Sequence, residues 1–334
     1  DIFINRTIAR QANIISHKND NLIYQIEKSN KANYYVASTA QERIYYADTI
    51  RHDTAYNIPQ VYLLKGELDE NALSRAFMNL QRKHSILKTC FKEIDGKIYQ
   101  YIDNANSVDF KVKNTNRRDI DKEITNFVKP FNLNKAPLWR AELLKLGEQE
   151  HILVLDFHHS IVDGLSVDLF LNILNEEYLY GTSKVPMLEY CDYAEWEANF
   201  IKSDEYTKQG QYWKKELEGQ IPTLSLPTDY ARNKKRSYEA GYCNLNIDGE
   251  LSLKIFEFAK EKGVTPYVIM LSAYILLLSR YSRQDEIVVG IPAIGRELSG
   301  MDMAIGMFVG TLPIRMGIKD NDSIDYFIKN VSQK

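Results

Sequence analysis

Two adjacent histidines stand four and five residues before an aspartate in the run His158-His159-Ser160-Ile161-Val162-Asp163-Gly164. An imidazole has an unperturbed pKa of about 6.5, so it can take or give a proton near neutral pH. The preceding run, residues 151–157, is apolar and β-branched enough to predict a buried strand. The following run, Leu165 to Tyr180, carries Leu165, Leu169, Phe170, Ile173, Leu174 and Tyr178 at helical spacing. The histidines therefore close a strand, and Asp163-Gly164 turns the chain into a helix. Neighbouring side chains on a strand face opposite ways. One histidine is expected to pack inward while the other meets substrate, and the pair makes a poor joint metal site. A pair of core histidines with a capping Asp163 is the competing reading; the Asp-Gly step at the turn favours the chemical one.

Bulk properties narrow the classes. The 334 residues suffice for two compact units. With 42 basic and 45 acidic residues, the net charge of −3 selects neither nucleic acid nor a membrane surface. Cys90, Cys191 and Cys243 lack CxxC spacing and read as buried thiols of a reducing, cytoplasmic setting. The N-terminal residues lack a signal-peptide core. The apolar stretch Tyr267 to Leu278 is short of the about 20 residues that a bilayer requires, so it reads as a core helix.

The histidine turn resembles the HHxxxDG signature of condensation domains of nonribosomal peptide synthetases. Four further segments resemble that family's motifs, in the family's order. Ser38 to Tyr45 is similar to SxAQxR, Arg82 to Phe91 to RHExLRTxF, Tyr190 to Trp196 to YxDYAxW, and Ile305 to Arg315 to IGxFVNTxxxR. Three positions depart: Gly310 replaces the usual Asn of the fifth motif, and Ser85 and Lys88 replace Glu and Arg of the second. The family's last two motifs are missing, as in a domain truncated at its C-terminus.

The resemblance implies an α/β fold of two chloramphenicol-acetyltransferase-like sandwich lobes set as a V, the second incomplete. Residues 34–180 are expected to form the N-terminal lobe and 181–334 a partial C-terminal lobe. Residues 16–33 read as a polar linker, and 1–15 resemble the last helix of a peptidyl carrier domain. Within the first lobe, the patterns predict strands at Gln60–Leu64, Leu87–Ile94, Lys97–Ile102 and Leu138–Leu146, and helices at Asp69–Lys83 and Asp119–Val128. Within the second, they predict one long helical region from Tyr190 to Glu218. Helices Leu251–Lys262 and Thr265–Ser282 come next, with strands Glu286–Pro292 and Thr311–Ile318.

The implied chemistry is amide formation from a carrier-bound thioester. His159 is expected to take the amine's proton or to orient the amine, with His158, Asp163 and Gly164 completing the catalytic set. Arg296 is the expected ionic partner of Asp163, placed by the family across the lobe junction. Arg82 is a second structural support. Gly164 offers close backbone approach and an N–H at a helix start. No cofactor or metal is expected on the chain itself; phosphopantetheine arrives on partner carrier domains, donor and acceptor, next to an adenylation domain. An epimerization domain of the same superfamily and a non-catalytic carrier-docking module remain open alternatives. A cyclization variant would replace the paired histidines by aspartates. A serine hydrolase is disfavoured because Gly164-Leu165-Ser166-Val167-Asp168 ends in Asp168 where the nucleophile elbow needs glycine.

Overall fold

The computed structural model describes residues 25–231, 241, 243–296 and 298–334. The carrier-like helix expected at 1–15 and the first part of the linker at 16–33 lie outside the described residues. Among those described, one compact unit comprises the residues up to Thr207 together with Ile294–Gly310. A second comprises Lys208–Ala293 and Thr311–Lys334. The boundary expected at 180/181 therefore falls inside the larger unit, because the buried Tyr190 ties the following helix to it.

The larger unit is α/β. A four-stranded sheet has the order β2-β7-β6-β5, with β2 Asn57–Lys65, β5 Phe110–Asn114, β6 Trp139–Lys145 and β7 Glu150–His158. A three-stranded sheet, β1-β4-β3, joins Tyr34–Val36, Lys97–Ile102 and Thr89–Ile94. The hairpin between the last two turns through Asp95 and Gly96, both at positive φ (51° and 73°), the backbone that a tight primed turn demands.

Strand β7 explains its own apolar composition. Leu153, Leu155 and Phe157 enter the main core, where Phe157 stacks on Trp139 at 6.1 Å and meets Phe170 edge-on at 4.9 Å. Ile152 and Val154 point the other way, against Leu144 and the helix Ile120–Phe127. Both faces are covered, so the strand reads as a continuous hydrophobic run. Its neighbours fix its end: Asn57 of β2 pairs with His158, and Trp139 of β6 pairs with Phe157. Helices α1 (Thr39–Arg51), α2 (Glu70–Lys83), α3 (Ile120–Phe127), α4 (Gly164–Tyr180) and α5 (Tyr190–Phe200) complete this unit.

The expected helix from Tyr190 to Glu218 is interrupted: α5 stops at Phe200, and α6 runs from Asp204 to Glu216. In the smaller unit, β8 (Glu286–Ala293) pairs with β9 (Gly310–Gly317). Helices α7 (Gly249–Lys262), α8 (Pro266–Ser282) and α9 (Ile324–Gln333) accompany them. Ile275, Ile287, Ile314, Phe327 and Val331 form this unit's core. Of the three cysteines, Cys90 and Cys191 are buried and Cys243 is exposed, so the expectation of three buried thiols is corrected there. Among the described residues, no single helix is long and apolar enough to cross a membrane.

Candidate active site

Strand β7 ends at His158, and His159 is the first residue of the turn that follows. His158 N–H donates to Leu138 O at 2.9 Å and His159 N–H to Tyr56 O at 2.8 Å, so flanking chain on both sides holds the turn. Ile161 N–H then donates back to His158 O at 3.0 Å and closes it. The two rings separate as strand geometry requires.

His158 is 1% exposed. Its Nδ1 lies 2.7 Å from Ser160 Oγ and receives Ser160 N–H at 3.3 Å, while Tyr56 and Phe131 flank the ring. His158, expected in the catalytic set, lies in the interior, closed to solvent. The second ring is half-buried. His159 Nδ1 stands 2.9 Å from Val162 O. A carbonyl oxygen only accepts, so Nδ1 carries a proton and, in the neutral ring, Nε2 keeps its lone pair.

Asp163 caps helix α4 from a buried position. Its Oδ1 accepts Ser166 N–H at 2.8 Å and its Oδ2 accepts Phe308 N–H at 3.0 Å. Arg296 Nη2 lies 3.3 Å from Asp163 Oδ1. This carboxylate is held by three groups and ties the start of α4 to segment 294–310, which belongs to the same compact unit. Arg296 also gives Nη1 to Ala304 O at 2.6 Å and lies over the Phe308 ring at 4.3 Å.

Ser166 carries more of this joint than a helix-start residue normally does. Its Oγ accepts from Arg296 Nη2 at 2.6 Å and from Gly306 N–H at 3.0 Å, and donates to Gly306 O at 2.6 Å. A hydroxyl engaged at all its positions is no nucleophile. Tyr190 closes the joint from α5. Its hydroxyl donates to Met307 O at 2.7 Å and receives Ser38 Oγ at 2.7 Å. Burial pushes this phenol well above its usual range. The ring fills the space above Gly306, where a Cβ would sit 1.9 Å from Tyr190 Cδ2.

Two expected residues stand apart from this joint. Gly164 is exposed, and a Cβ there would meet no atom within 4 Å. Among the described residues, no close approach demands glycine at that position. Arg82 is exposed and reaches Asn79 Oδ1 of its own helix at 3.2 Å, so the support expected of it falls to its neighbour. Lys83 pairs with the buried Glu177 of α4 at 2.5 Å. Ser38, Ser166 and Tyr190 lie in segments already singled out by pattern. Their signal is a polar side chain inside an otherwise apolar motif, and only the fold supplies its partner.

Residues 31–334 match the family model described as the condensation domain. The chain belongs to the condensation domain family. As a condensation domain it is of acyltransferase type, and its relatives are nonribosomal peptide synthetases. It is 38% identical over 90% of its length to bacitracin synthase 1 of Bacillus licheniformis. It is 32% identical over 99% to gramicidin S synthase 2 of Aneurinibacillus migulanus. The domain spans only 6% and 8% of these relatives' lengths. Among solved structures, the X-domain from teicoplanin biosynthesis superposes with a TM-score of 0.83 at 23% identity, over 92% of this chain and 71% of that one. The first condensation domain of the calcium-dependent antibiotic synthetase, in complex with a substrate analogue, gives 0.77 at 21%, over 90% and 74%. At these identities the superpositions establish the fold alone, a chloramphenicol-acetyltransferase-like α/β architecture.

Proposed function

We propose that this condensation domain forms a peptide bond between a carrier-bound acyl or peptidyl thioester and the amine of a carrier-bound aminoacyl acceptor. The observation that carries the reading is the His159 ring. Its Nδ1 proton is spent on Val162 O, which leaves a basic Nε2 on a half-buried ring. In the proposed step, the acceptor nitrogen attacks the thioester carbonyl, the C–N bond forms and the C–S bond breaks. The amine proton passes to Nε2 and from there to the departing sulfur, so the donor's phosphopantetheine arm leaves as the thiol and the ring is regenerated. Aminolysis of a thioester is downhill, so orientation of the amine supplies much of the acceleration. The N–H of the exposed Gly164, at the start of the 17-residue helix α4, is proposed to face the developing oxyanion. Donor and acceptor carrier domains and an adenylation domain are the proposed partners; phosphopantetheine reaches the site as part of the substrates.

The test offers the parent synthetase a labelled donor on one carrier and an amino acid on the other, in deuterated buffer. The expected product is a peptidyl thioester on the acceptor carrier. Deuterium at the donor Cα without peptide would instead identify an epimerization domain, and carrier binding with neither product would identify a docking module.

A further inference from the structure

Helix α1 touches the histidine turn at two points. Gln41 Nε2 donates to Ser160 O at 3.2 Å. Asp48 Oδ1 lies 3.5 Å from His158 Nε2. The two residues are seven apart, so they share one face of the helix. With Ile44 and Tyr45 they are the residues that α1 buries. A stripe that packs against the core thus carries two polar groups, and both end on the residues flanking His159.

The state of the His158 ring is set by its partners. Ser160 N–H, which can only donate, points to Nδ1 at 3.3 Å. Nδ1 therefore holds a lone pair, and the neutral ring carries its proton on Nε2. Ser160 Oγ, 2.7 Å away, donates to the same Nδ1. Among the described residues, the Nε2 side has no hydrogen-bond partner within ordinary limits, and the carboxylate of Asp48 at 3.5 Å is an acidic group it faces. A buried N–H opposite a buried carboxylate is favoured in this orientation and opposed in the reverse one, where a lone pair would meet a negative charge.

We infer that Asp48 and Gln41 are positioning residues for His159. Asp48, facing Nε2 while the Ser160 N–H faces Nδ1, helps select the Nε2–H tautomer of His158, and Gln41 pins the Ser160 carbonyl. Together they fix the backbone on either side of His159, whose N–H is already tied to Tyr56 O, so that its free Nε2 is presented in one direction. Neither residue touches substrate. The inference rests on the reading of His159 as the proton acceptor, but its first readout does not.

That readout is the tautomer itself, seen in long-range proton–nitrogen NMR spectra of the whole protein labelled with ¹⁵N-histidine. His158 is expected as Nε2–H. An Nδ1–H tautomer in the unaltered protein overturns the inference at once, whatever the activity. Asp48→Leu is expected to mix the two tautomers and to lower kcat for condensation roughly tenfold or more, with KM for the loaded acceptor carrier held within about twofold. Asp48→Asn keeps an oxygen acceptor in place and is expected to retain the Nε2–H tautomer and most of kcat. Equal behaviour of the Leu and Asn variants, or an unchanged tautomer and kcat in Asp48→Leu, contradicts the assignment. Should Asp48→Leu fail to fold, Gln41→Leu carries the test: a lower kcat at constant KM supports it, and an unchanged kcat overturns it. If the unaltered protein shows the Nε2–H tautomer but no condensation, the reaction assigned above fails while the tautomer selection stands.

Discussion

Arg296 and Asp163 lie 133 residues apart in sequence, yet Arg296 Nη2 stands 3.3 Å from Asp163 Oδ1 inside one compact unit. The pair is nearly closed to solvent, with side chains 11% and 3% exposed. Removing one member leaves the other charge buried and alone. Asp163→Ala is therefore expected to cost about 3–5 kcal/mol in urea unfolding. The double variant Asp163→Ala/Arg296→Met is expected to recover part of that loss. A double variant no more stable than the single one would show that the ion pair is not what holds segment 294–310.

Glycine is required at Gly306 and not at Gly310. A Cβ at Gly306 would fall 1.9 Å from Tyr190 Cδ2, whereas one at Gly310 would meet nothing within 4 Å. Gly306→Ala is expected to destabilise by about 1–3 kcal/mol, the range for overpacking a filled core. Gly310→Asn, which restores the family's usual residue, is expected to change stability by no more than about 0.5 kcal/mol. Thermal melts of both variants check the contrast, and equal losses would contradict it.

Asp156 and His84 oppose each other in acid. Burial pushes the Asp156 carboxyl up to about 6 from its ordinary 3.8, against the pull of Arg140 and Asn57. Burial pushes His84 down to about 4 from 6.5, and Lys83 adds to the effect. The folded chain keeps the Asp156 proton that the unfolded chain releases. Its contribution to stability is complete below pH 3.8 and is lost as pH rises through 6. His84 stays neutral in the fold while the unfolded chain binds a proton. Its contribution is complete above pH 6.5 and is lost as pH falls through 4. Each amounts to about 3 kcal/mol, so the two nearly cancel in the native protein. Asp156→Asn is expected to leave the His84 slope, with urea midpoints falling from pH 6.5 towards 4. His84→Gln is expected to show the reverse slope. Parallel curves for the two variants would rule this out.

Much of the scaffold is legible in the amino-acid pattern. The strand–turn–helix around His158 and His159 needs only local signals, because a strand covered on both faces must be apolar throughout and Asp163 must cap the helix after it. Helices ending at Lys83 and Ser282 are legible for the same reason. The helix Thr39–Arg51 is hidden from pattern, since Gln41 and Asp48 sit on its buried face and blunt its apolar stripe. Strand β5 escapes because four of its five residues are exposed. The break after Phe200 is masked by a polar run that suits either helix or loop. At the site, strand alternation requires one histidine to be buried but does not say which of the two rings turns inward. Arg82 misleads because its neighbour Lys83 makes the buried pair. The joint of Ser166, Tyr190 and Gly306 depends on contacts more than a hundred residues apart, which no local window contains.

The most direct measurement is the single-turnover rate of peptide-bond formation by His159→Ala, with donor and acceptor loaded on their carriers and thermal melts run in parallel. The half-buried ring makes few contacts that the fold needs, so the melt is expected to move little. The rate is expected to fall by roughly 10²–10⁴-fold, the usual worth of a positioned proton acceptor. A variant that condenses at the native rate would contradict the central role given to the His159 Nε2 lone pair.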